Sequence, residues 1–68
     1  MKKEIRVIEA FDRFRQEKTF TILFVVDEHI WTKAETSSSV QALETICKLA
    51  MDHNGSMLRY TLDTSESL

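Results

Sequence analysis

Eight consecutive residues, Thr19 to Val26 (TFTILFVV), restrict this chain more than any other feature. They are rich in β-branched and aromatic side chains, which fit a pleated strand. In that strand Phe20, Ile22, Phe24 and Val26 point to one side, and Leu23 and Val25 to the other. A strand apolar on both sides belongs in the middle of a sheet, because at a border half of it would face water.

The segments around it follow from local chemistry. Asp27-Glu28-His29 is a polar turn, and Ile30 to Glu35 returns as a partner strand. Further on, Leu58, Tyr60 and Leu62 alternate with Arg59 and Thr61, the mark of a half-buried strand over Met57 to Leu62. There is no proline and a single glycine, Gly55, so connections are short and a glycine-rich phosphate loop is ruled out.

Between these strands lies a helix, expected over about 38–53. Val40, Leu43, Cys47 and Ala50 recur at three- and four-residue spacing, flanked by Ile46 and Met51, which makes this stripe the expected buried face. Ser38 followed three residues later by Gln41 fits a capping box. Asn54-Gly55 marks the end, where glycine tolerates the left-handed backbone.

The N-terminal stretch admits two readings. As a helix it gathers Val7, Ala10, Phe11 and Phe14 on one face, and its Glu, Arg, Ala and Lys content favours that state. As a strand it alternates Ile5, Val7 and Phe11, with Glu9 breaking the pattern. The helical reading is preferred. The expected fold is therefore α+β, a small three-stranded antiparallel sheet with one or two helices on one face, in the order αββαβ. The alternative is βββαβ, with the N-terminal segment as a strand. A right-handed crossover through the helix gives the sheet order 2-1-3, counting from the Thr19–Val26 strand. Residues 63–68 are expected to be a frayed tail.

Sixty-eight residues make a single domain with a thin core. At 43% hydrophobic and 29% charged residues the chain is too apolar and too balanced to be disordered. A lone cysteine, Cys47, precludes an intrachain disulfide and suits a reducing cytoplasm. The longest apolar run, Ile22 to Val26, is far shorter than the ~20 residues that span a bilayer. With neither disulfide nor metal to reinforce a small core, self-association is the remaining route.

No cluster carries recognisable reaction chemistry. Asp27, Glu28 and His29 stand together and His53 follows Asp52, but metal-ligand spacings such as CxxC or HExxH are missing. They read instead as a polar turn and as a histidine suited to a helix C-terminus. Cys47, in the middle of the helical stripe, reads as an inert core thiol. The run Ser37-Ser38-Ser39 is explained by capping. No catalytic residue, metal ligand or cofactor is expected, and the chain is read as non-enzymatic.

Partner surfaces remain. With helices on one face of the sheet, the other presents Leu23 and Val25, joined by Trp31, with Arg59 and Thr61 as neighbours; such a patch suits another protein or a second copy of the chain. The outer strands offer open edges as well. The alternative partner is nucleic acid, contacted by Lys2, Lys3, Arg6, Arg13, Arg15 and Lys18 on an N-terminal helix. Against it stand the interleaved Glu9, Asp12 and Glu17, and a net charge of −2, where a nucleic-acid-binding domain is usually basic.

Overall fold

The computed structural model describes residues 2–62; the expected frayed tail at 63–68 lies outside them. In chain order the elements are β1 (Lys3–Asp12), β2 (Glu17–Val26), β3 (His29–Thr36), α1 (Ser39–Asp52) and β4 (Met57–Leu62). The strands form one mixed sheet in the order β3-β2-β1-β4. β2 is antiparallel to both neighbours, and β4 runs parallel to β1. The fold is α+β, and of the two expected orders the chain adopts βββαβ.

The preferred N-terminal helix is thus corrected to a strand, and the three-stranded antiparallel sheet to a four-stranded mixed one. The cause is tertiary. β1 pairs with β2 along its whole length, setting Ile5 against Phe24 and Val7 against Ile22. These four are almost fully buried and form the centre of the core with Ala42 and Leu49. Helix propensities differ by tenths of a kcal/mol per residue, whereas burying one such side chain contributes about 1.5–3 kcal/mol. Glu9, which interrupts the alternation, is accommodated by Lys18, with Nζ 3.0 Å from its carboxylate. β2 lies inside the sheet, as its two apolar faces require.

The helix begins where expected, with half of the expected capping box. The Ser38 hydroxyl accepts from the Gln41 backbone N–H at 3.3 Å. Gln41 does not reach back to the Ser38 N–H, which donates instead to the Thr36 hydroxyl. Thr36 in turn donates to the Gln41 side chain at 2.8 Å. At the other end His53 closes the helix, and Gly55 takes a φ of +88°.

The helix lies with a different face inward than the expected one. Ala42 and Leu49 are buried and Ile46 packs against the core. Val40, Leu43, Cys47, Ala50 and Met51 are exposed. The helix packs on β2, β3 and β1, and leaves β4 uncovered.

Candidate interaction surface

The sheet face away from the helix is not an apolar patch. Its residues follow from the register: Glu4 lies between Val25 and Met57, and Arg6 between Leu23 and Arg59. Val25 is only 1% exposed and has no surface to offer a partner. Leu23 is half-buried between Arg6 and Lys33 of the adjoining strands. The middle of this face is a charged cluster built around Glu4, itself 1% exposed.

Four side chains organise that cluster. Arg6 Nε lies 3.2 Å from Glu4 Oε2, Arg59 Nε 3.5 Å from the same oxygen, and Lys2 Nζ 3.4 Å from Oε1. The hydrogen bond from Arg6 holds the Glu4 carboxyl below its ordinary range, aided by the charges of Arg6, Arg59 and Lys2 and opposed by desolvation. The same bond raises the Arg6 guanidinium, which also faces Glu28 at 3.9 Å. A buried carboxylate held by three cations is a self-satisfied unit, and no buried side-chain polar atom among the described residues lacks a partner.

Trp31 stands apart from Leu23 and Val25. It falls at the bulge in β3, where the register shifts opposite Phe24 and Val25. With Lys3, Phe24, Val26 and His53 it borders a shallow cleft of about 250 Å³ on the helix side. His53 stacks on Phe24 there, ring centroids 3.9 Å apart. Cys47 lies on the outer surface of the helix. Among the described residues no group of three His, Cys, Asp or Glu is placed to hold a metal ion.

The six basic residues of the nucleic-acid reading do not share one face. Lys2 and Arg6 serve the Glu4 cluster, and Lys18 pairs with Glu9. Lys3 lies on the helix side of the sheet, beside Val26. Arg13 and Arg15 sit in the β1–β2 turn, where Arg15 Nε is 3.8 Å from Asp12. Between them Phe14 is fully exposed at the hairpin tip. The sequence signal for that tip is Asp12, whose carboxylate accepts from the Phe14 and Arg15 N–H groups as turn-forming aspartates do.

The surface that sequence reasoning missed is β4. Leu58, Tyr60 and Leu62 align with Ile5, Val7 and Glu9, and so share the core side of the sheet. Because the helix stops short of this strand, they remain 59%, 57% and 61% exposed. The far edge of β4 pairs with nothing among the described residues. Arg59 and Thr61 occupy its other face, and Arg59 is turned inward over β1 to Glu4.

The two borders of the sheet differ. β3 carries a bulge and an exposed Lys33–Glu35 pair at 3.3 Å, devices that discourage pairing with a further strand. β4 is regular in its pairing with β1 and has one charged residue, already engaged. No described helix is long and apolar enough to cross a membrane. In comparisons with protein-family models, curated proteins and solved structures, nothing matches this chain.

Proposed function

We propose that the chain is a small non-enzymatic protein-interaction module that works through β4. One observation carries this reading: an unguarded edge strand whose core-side residues Leu58, Tyr60 and Leu62 stay more than half exposed. Main-chain hydrogen bonds along such an edge supply affinity, and the alternate side chains supply selectivity. Tyrosine is also enriched among the residues that dominate interface energies. The exposed lone thiol of Cys47 fits a reducing compartment, so the cytoplasm is the proposed location. Of the surface expected from sequence, Arg59 and Thr61 remain in this reading, as the flank of the same strand.

Site-specific photocrosslinking in the intact cell tests it. A photoreactive residue in place of Thr61 on β4 should form protein adducts, and one in place of Glu35 on β3 should form far fewer. Equal yields at the two borders, or none at position 61, overturn the assignment.

A further inference from the structure

We infer that the occupant of β4 is the β4 of a second copy, added antiparallel about a two-fold axis at Tyr60. This rests on β4 being the working border and names its partner. Three observations point the same way.

The first is self-complementarity. A two-fold centred on Tyr60 sets Leu58 opposite Leu62 of the other copy, Tyr60 opposite its own counterpart, and Arg59 opposite Thr61. Among the described residues, over 58–62, the core-side apolar residues then meet apolar residues, and no like charges face each other. Centring on Arg59 would set two like-charged residues opposite each other, which disfavours a strand pair even with each guanidinium turned toward Glu4.

The second is closure. Pairing β4 with the β3 border of another copy would be head-to-tail and would propagate into a filament. The bulge and the Lys33–Glu35 pair obstruct that mode. A β4–β4 contact uses up both open edges and ends there, with the two helices on the same side of one continuous sheet.

The third is area. Leu58, Tyr60 and Leu62, each more than half exposed, leave on the order of 100 Å² apiece. Two copies thus bring roughly 600 Å² of side-chain surface together before the backbone edge is counted, against about 1,200 Å² for the smallest stable specific interfaces. An interface this small gives a weak, reversible dimer rather than a permanent one.

Sedimentation equilibrium of the full chain, from about 1 to 500 µM, tests this. The expected result is a monomer–dimer equilibrium. Tyr60→Lys, which puts two ammonium groups face to face at the axis, should weaken it at least tenfold with an unchanged circular dichroism spectrum. Thr61→Glu, which sets a carboxylate against Arg59 of the other copy on both sides of the axis, should tighten it severalfold. In the register centred on Arg59 that second change gains no partner, so the absence of tightening overturns the register. A chain monomeric throughout overturns the second copy as occupant. If its position-61 adducts still contain another protein, the role of the border survives that result; if they are missing too, both readings fall.

Discussion

Glu4 and Arg6, two residues apart on one strand, form a contact that keeps the carboxylate almost wholly out of water, with Nε 3.2 Å from Oε2 on the face that carries no helix. Because the folded-state pKa of Glu4 is lowered, its contribution to stability is fully present above the unfolded value of about 4.3. It is lost as pH falls through the lowered value. Glu4→Gln should therefore reduce the urea midpoint at pH 7, and the gap between variant and parent should close as the pH is taken below 4. A gap that stays constant with pH would show that Glu4 acts through packing alone.

The orientation of the helix separates two leucines that look equivalent in sequence. Leu49 is in the core and Leu43 is 62% exposed. Leu49→Ala should cost about 2–5 kcal/mol, and Leu43→Ala within about 0.5 kcal/mol. Urea denaturation of both variants is the check; similar losses would mean that the other face of the helix is inside.

Four turn positions, Gln16, Asp27, Glu28 and Gly55, hold backbone conformations that suit glycine. Asp27 and Glu28, between β2 and β3, have φ of +49° and +73°, as a type I′ hairpin requires. Glu28→Gly should stabilise the fold by about 1 kcal/mol, since the long 3.9 Å pair it gives up with Arg6 is a surface contact of little value. Gly55→Ala should do the reverse, at a cost of about 1–2 kcal/mol. An added Cβ there would meet nothing within 4 Å, so the effect is purely conformational. Thermal unfolding of the pair reads both signs.

Capping by Ser38 is shared with Thr36, which accepts from the Ser38 N–H and donates to Gln41. Ser38→Ala should lose about 1 kcal/mol. Thr36→Val, which removes the hydroxyl that satisfies the Ser38 N–H, should lose a comparable amount (~1 kcal/mol). In the double variant the losses should fall short of additive, because both disrupt one network. A double-mutant cycle by chemical denaturation measures that coupling.

Much of the fold was legible residue by residue. Where a segment's pattern is set by its immediate neighbours, its state was legible: the interior strand at Thr19–Val26, the helix expected over about 38–53, and a strand at Met57–Leu62, which is exposed along its length rather than half-buried; His29, expected in the turn, opens β3 instead. The candidate site was less legible. Sequence placed the apolar contact at Leu23 and Val25, because they are the greasy side chains opposite the main core. Charged residues on β1 and β4 decided otherwise, since Glu4 and Arg6 lie beside Val25 and Leu23 and meet Arg59 only once β1 and β4 are side by side.

By itself, then, the sequence determined the extended and helical segments after residue 18, the turn chemistry and the burial of β2 on both sides, all of which depend on contacts between residues close along the chain or on a run apolar enough to admit one solution. Tertiary structure decided whether Lys3–Asp12 became strand or helix, which flank of α1 faced inward, and which border stayed open. Those choices rest on partners distant in sequence, such as Phe24 for Ile5 and Glu4 for Arg59. A short helix laid over β1, β2 and β3 is too narrow to cover β4 as well, and that shortfall is what leaves Leu58, Tyr60 and Leu62 bare.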